Sequence, residues 1–261
     1  MLTRPILEQA ARACGLSPLS AVLTPLDGSP EPVQIDPKRS FYPASMLKVP
    51  LAAAALSLVQ AGELSLRERV EVTPQNMTAN DAESPLVPGY RGELAVIIER
   101  AITHSDNVAT NLLFDICGRE RATGIARNAF GLQSTAFHRK LSGAEPLIAD
   151  PGWDGRHRNQ HSCGDCARLL TMIARHGIPH ARLLLKFLGR QHFNDKLSEG
   201  LQHGDVFAHK TGDTEEVTHD GGILTTAQGR RYVLVVYTGL RSTKENNARF
   251  APFMRAIRGY L

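Results

Sequence analysis

Apolar residues recur every three or four positions in "RPILEQAARACGL", with Pro5 in the first turn and Gly15 as a stop, which predicts an amphipathic helix. The pattern then shortens to alternation in "LSAVLTPLDG", which turns at Asp27-Gly28 and predicts a hairpin strand with "PVQIDP" as its short partner. From Leu47 to about Arg190 the helical period returns. "GELAVIIERAIT", "VATNLLFDICG", "CARLLTMIARHG" and "ARLLLKFLGR" all carry it, and several end at glycine. Val49 to Leu58 is apolar on every side, as a helix buried on all faces would be. From residue 205 the period falls back to two in "DVFAHKTG", "HDGGILTT" and "RRYVLVVYTGL", the last two joined around Ala227-Gln228-Gly229. A final helix is predicted from roughly Lys244 to Tyr260.

Strands at both ends and helices between them predict an α+β fold. The N-terminal hairpin joins the C-terminal meander in one five-stranded antiparallel sheet, flanked by the terminal helices, beside an all-helical subdomain. Residues 1–46 and 195–261 then form a discontinuous α/β subdomain and residues 47–194 the helical one, with an active site expected in the cleft between them.

Composition narrows the function classes. The 261 residues are 42% hydrophobic and 21% charged, ordinary for a globular chain, with a formal net charge of +4. Acidic and basic residues alternate, with no block of like charge, which argues against nucleic-acid binding. No stretch reaches the roughly 18 apolar residues of a membrane span. The N-terminus lacks the long apolar core of an export signal, so a periplasmic or secreted location is expected only if a signal has been trimmed, and a cytoplasmic one otherwise. Cys14, Cys117, Cys163 and Cys166 make no disulfide framework. His157, His161, Cys163 and Cys166 are types that ligate zinc, but four ligands within ten residues leave little chain to wrap an ion. Two thiols one helix turn apart fit packing instead, so no metal and no cofactor is expected. Trp153 reads as a loop anchor.

One lysine breaks the apolar run of "FYPASMLKVPLAAAAL". A buried ammonium is costly unless it is paired or pushed toward neutrality. Lys48 lies three residues after Ser45, so on a helix the amine can reach the hydroxyl and act as the base a serine nucleophile needs. Ser45 at the helix start would also face unpaired amides suited to a developing oxyanion. A Ser-x-x-Lys arises about once by chance in a chain this long. A second motif, Ser105-Asp106-Asn107, lies between two helices, where its residues suit proton relay and substrate binding but equally suit a helix cap. A third, Lys210-Thr211-Gly212, ends a strand. A lysine and a hydroxyl there make a carboxylate site and the glycine permits close approach, although an edge-strand lysine also guards against aggregation.

All three motifs in this order, on helix start, inter-helix loop and strand, amount to roughly a one-in-a-thousand coincidence by composition. The set resembles the class A serine β-lactamases and the related penicillin-binding peptidases. The resemblance covers nearly the whole chain. It implies Ser45 as the acylated nucleophile, Lys48 as an aid to proton removal, Ser105 as a relay to the leaving nitrogen and Asn107 as a holder of the acyl side chain. It further implies Lys210 and Thr211, with Gly212, at the substrate carboxylate, and the amides of Ser45 and Asp213 as an oxyanion hole. A β-lactam or a D-alanyl peptide is the implied small-molecule substrate, for a monomeric enzyme without cofactor; an esterase or a β-lactam sensor on the same scaffold is the alternative.

Two departures stand out. The family's water-activating glutamate falls on Leu141 when Arg139 is aligned with its arginine, and Glu145 is a replacement only if the loop shifts. After the third motif, Thr218-His219-Asp220 stands where an arginine often supports the substrate carboxylate, with Glu215 and Glu216 in the preceding turn.

Overall fold

A computed structural model describes residues 2–28, 31–80, 82–142 and 150–261. The chain runs α1 (Arg4–Ala13), β1 (Leu19–Pro25), β2 (Val33–Ile35), α2 (Lys48–Gln60), β3 (Arg69–Glu71), β4 (Arg91–Glu93), α3 (Leu94–Thr103), α4 (Asn107–Cys117) and α5 (Arg119–Asn128). It continues through α6 (Cys163–Ala174), α7 (Ala181–Leu188), β5 (Val206–Asp213), β6 (Thr218–Thr225), β7 (Arg231–Thr238), α8 (Lys244–Asn247) and α9 (Phe250–Arg258).

The main sheet is antiparallel, in the order β2-β1-β7-β6-β5, so the N-terminal hairpin does join the C-terminal meander. Ala21 faces Ile35 on one side and Val236 on the other. Both faces of the sheet are covered, which is why "RRYVLVVYT" is a nearly continuous apolar run. Val22, Val233, Val235 and Tyr237 pack toward the helical lobe. Ala21, Leu23, Leu234 and Val236 pack under α1 and α9. The alternation of two residues therefore sorts β1 and β7 between two cores.

α2 is the axis of the helical lobe, buried from Lys48 to Leu56. Its four consecutive alanines let α4 and α5 approach closely, and Pro50 falls in the first turn, where its missing N–H costs no helical bond. Three features depart from the sequence expectation. The predicted final helix breaks near Ala248, because Phe250, Phe253, Met254 and Ile257 dock on the sheet whereas α8 buries no residue. α5 and the small β3–β4 sheet were not foreseen: α5 buries only Ala122 and Ala126, and three-residue strands carry too little alternation to read. Among the described residues, no helix is long and apolar enough to cross a membrane.

Candidate active site

Ser45 lies in a 3₁₀ turn, Ala44–Leu47, directly ahead of α2. The sequence places it at the helix start, and the structure sets it in this lead-in turn. Ala44 adopts φ +47°, a left-handed conformation unusual for alanine. That twist presents half-buried Ser45 to the cleft while its neighbours Ala44 and Met46 are buried. β5 presses against this turn. A Cβ on Gly212 would meet Met46 Cγ at 3.0 Å, the Pro43 carbonyl at 3.2 Å and Ala44 Cβ at 3.3 Å. A close approach that needs a glycine is thus that of the turn carrying Ser45.

Lys48 is fully buried. Its ammonium donates to the Ser105 carbonyl, to Ser105 Oγ at 3.1 Å and to Asn107 Oδ1 at 2.7 Å. Lys210, also fully buried, donates to the same Ser105 Oγ at 2.9 Å and to the Thr211 carbonyl at 2.8 Å. One hydroxyl is therefore held between two ammonium groups from opposite walls of the cleft. Ser105 achieves this from a left-handed backbone, φ +54°.

The helix-cap reading of the second motif holds for one of its three residues. Asp106 is the cap of α4, accepting from Ala109 N at 3.0 Å, and it also takes Ser84 Oγ at 2.6 Å and Arg100 Nε at 3.1 Å. Ser105 and Asn107 are left to face the lysines. Asn107 donates to the Ala79 carbonyl at 2.7 Å, so its amide is braced between that carbonyl and Lys48.

Ser45 opens onto two adjoining cavities. One, of about 220 Å³, is lined by Ser105, Thr211, Asp213 and Asp195. The other, of about 680 Å³, is lined by Tyr42, Asn107, Leu141, Arg158 and Glu216. Arg158 forks onto both oxygens of Glu216 at 3.0 Å and lies 4.1 Å over the Tyr42 ring, a planar clasp across the larger cavity. Leu141 is fixed from α4: Asn111 accepts from its N–H at 2.7 Å and donates to its carbonyl at 2.9 Å. Glu145 lies outside the described residues.

His219, in the expected arginine's place, is a neutral post. Its Nε2 bonds the Tyr42 carbonyl at 2.8 Å, its Nδ1 accepts from Thr238 N at 3.1 Å, and its ring stacks on Tyr237 at 4.1 Å. Burial pushes its pKa down to about 4. Asp213 was anticipated for its amide alone, but its side chain is the more unusual feature. It meets Lys196 Nζ at 2.6 and 2.8 Å, Ser242 Oγ at 2.6 Å and Thr218 Oγ1 at 3.2 Å. Burial pushes this carboxyl up, but Lys196, Ser242 and Lys210 together outweigh it and hold it below the usual range. Lys196, in "FNDKLSEG", was missed because nothing in that stretch signals a partner 17 residues ahead.

The histidines and cysteines considered for zinc go separate ways. Cys163 and Cys166 are buried on α6, Cys163 Sγ lying 3.7 Å from the Val235 carbonyl. His161 pairs with Thr135 Oγ1 at 2.9 Å, and His157 is exposed beside Asp154. Trp153 anchors its loop, donating to the His157 carbonyl at 2.7 Å beneath the Arg139 guanidinium.

The family model described as the beta-lactamase enzyme family matches residues 6–258. Extended-spectrum beta-lactamase PER-1 of Pseudomonas aeruginosa is 26% identical over 235 residues, spanning 84% of this chain and 74% of that protein. Among solved structures, PBP-A is 25% identical with a TM-score of 0.84, covering 98% of this chain and 95% of its own. A leucine-to-glutamate mutant of PBP-A, in acyl-enzyme complex with penicillin G, shares the fold at 23% identity and a TM-score of 0.84, covering 100% and 98%. With its three motifs gathered on one cleft, the chain belongs to the β-lactamase enzyme family and is a serine hydrolase of that type.

Proposed function

We propose that Ser45 is acylated by β-lactams in the cleft between the helical lobe and the sheet. Its Oγ forms an ester bond to the lactam carbonyl carbon as Lys48, in its neutral amine form, takes the serine proton; the ring C–N bond breaks, and the departing nitrogen takes the Ser105 hydroxyl proton, which Lys48 then replaces. The observation that carries this reading is the Ser105 hydroxyl, held at 3.1 Å from Lys48 and 2.9 Å from Lys210. Two donors on one oxygen turn its own hydrogen outward, aimed to protonate a leaving group, while Lys48 refills it from behind. The amides of Ser45 and Asp213 suit an oxyanion hole, the first because the opening residues of a helical turn leave their N–H groups unpaired.

Hydrolysis of the acyl-enzyme is the slow step in this proposal. Leu141 stands in the cavity wall where the family's base would activate water, and an aliphatic side chain cannot take a proton. The same residue favours a second reading, a D-alanyl-D-alanine peptidase that β-lactams trap. Intact-mass spectrometry after mixing with penicillin G tests both: a rapid adduct decaying over minutes to hours supports the hydrolase, and one that persists supports the peptidase. No adduct overturns the proposal.

A further inference from the structure

We propose that Lys196 is a positioning residue for acylation: it neutralises the Asp213 carboxylate, which would otherwise oppose the negative charge developing at the Asp213 amide. This rests on the reading of Ser45 as the nucleophile and of that amide as an oxyanion donor, and it adds a residue to the site.

An oxyanion site is favoured by hydrogen-bond donors and disfavoured by negative charge close by. Asp213 brings both. Its backbone ends β5 opposite Thr218, and the residue lines both cavities onto which Ser45 opens. By ordinary backbone dimensions, a bare carboxylate there stands roughly 6 Å from an oxygen bound at its own N–H, and one unit charge at that range opposes the oxyanion by about a hundredfold in rate at a protein-surface dielectric.

The structure cancels that charge. Lys196, 1% exposed, donates to Asp213 Oδ1, Asp213 Oδ2 and the His219 carbonyl at 2.6, 2.8 and 3.0 Å. Ser242 Oγ at 2.6 Å and Thr218 Oγ1 at 3.2 Å fix Oδ1 from other elements. The ammonium is thus held between a carboxylate and a β6 carbonyl, rather than passing as a mobile counterion. The other charged or titratable groups around Asp213 have different partners. Lys210, on the same strand, is fully buried and donates to Ser105 Oγ and the Thr211 carbonyl. Arg241 lines the larger cavity with Asp213 and meets Glu215 at 3.4 Å. Asp195 lines the smaller cavity and adds negative charge, and His219 is neutral.

The test measures, by intact mass, the second-order rate of Ser45 acylation by penicillin G methyl ester, which has no carboxylate of its own for Asp213 to repel. Lys196→Gln keeps a donor without the charge and should react about tenfold to a hundredfold more slowly than wild type. Adding Asp213→Asn removes the opposing carboxylate and should recover most of that loss. The pH profile separates charge from packing. With Lys196 gone, burial pushes the Asp213 carboxyl up against only Ser242 and Lys210. Protonation then relieves the variant, and its rate relative to wild type should rise about threefold or more between pH 8 and pH 5. A wild-type rate in Lys196→Gln, a pH-independent ratio, or a double variant no faster than the single one overturns the inference and leaves Ser45 as the nucleophile. If Lys196→Gln does not fold, Asp213→Asn decides alone: the unopposed ammonium should speed acylation, and a rate no higher than wild type overturns the inference. No Ser45 adduct in wild type with either the methyl ester or penicillin G overturns the reading on which it rests.

Discussion

Replacing Leu141 by glutamate puts a base in the cavity wall and, on the proposed function, is expected to speed deacylation. The backbone at this position is clamped by Asn111 through two hydrogen bonds of 2.7 and 2.9 Å, so a new side chain projects from the same point as the old one. Leu141 lines the cavity shared with Ser45 and Asn107. A positioned general base contributes about 10²- to 10⁴-fold, or roughly 3–5 kcal/mol of barrier. Against this stands lost burial: Leu141 is 9% exposed, and removing an aliphatic side chain costs about 1.5–3 kcal/mol of stability. Leu141→Glu should therefore melt lower, show an unchanged acylation burst with penicillin G, and turn over at least about a hundredfold faster in steady state. Stopped-flow absorbance resolves the two phases in one experiment. An intact burst with an unaltered steady-state rate, in a variant shown to be folded, would refute the assignment of this position. Rapid turnover by the wild type would do so too, and Glu145→Gln would then be the next variant to measure.

Ser105→Ala should slow β-lactam acylation about a hundredfold or more while Ser45 remains reactive toward a fluorophosphonate, whose fluoride leaves without a proton, whereas Lys48→Ala should slow both reactions, because the nucleophile loses its base; equal loss of both reactions in Ser105→Ala would mean that the turn itself had collapsed. Gly212→Ala should cost acylation about tenfold or more, because the added carbon lands 3.0 Å from Met46 Cγ and pushes β5 away from the nucleophile turn; wild-type kinetics would show that the turn gives way freely. His219 links stability to pH. Its folded pKa of about 4 lies below the ordinary 6.5, so the folded state binds fewer protons between these values. The His219 contribution is then full above pH 6.5 and falls by up to about 3 kcal/mol as pH drops to 4, beside a further loss from His161, whose burial pushes its pKa down to about 3. Urea unfolding at both pH values should show this loss, and His219→Asn should reduce it; an equal loss in the variant would place the proton elsewhere.

Much of this was legible in the chain, for reasons that can be named. Local spacing drew attention to Ser45 and Lys48, because a lysine in an otherwise apolar helix needs a partner. Period-two patterning revealed β5, β6 and β7, and the return to it at the C-terminus placed β1 beside them. What stayed hidden was long-range or conformational. No local pattern announces that Lys196 meets Asp213, that Arg158 reaches Glu216 across 58 residues, or that Ala44 twists to φ +47°. The neighbours that Lys210, Gly212 and Asn107 find in space were hidden for the same reason: Lys210 meets Ser105, Gly212 meets the turn that carries Ser45, and Asn107 meets Lys48.

The central claim is that Ser45 is the residue acylated, with Ser105 only relaying its proton. Peptide mapping of the penicillin G adduct tests it most directly. The account predicts a single modified peptide containing Ser45, absent in Ser45→Ala, and the same peptide, formed more slowly, in Ser105→Ala. An adduct on Ser105, or one that survives Ser45→Ala, would contradict it.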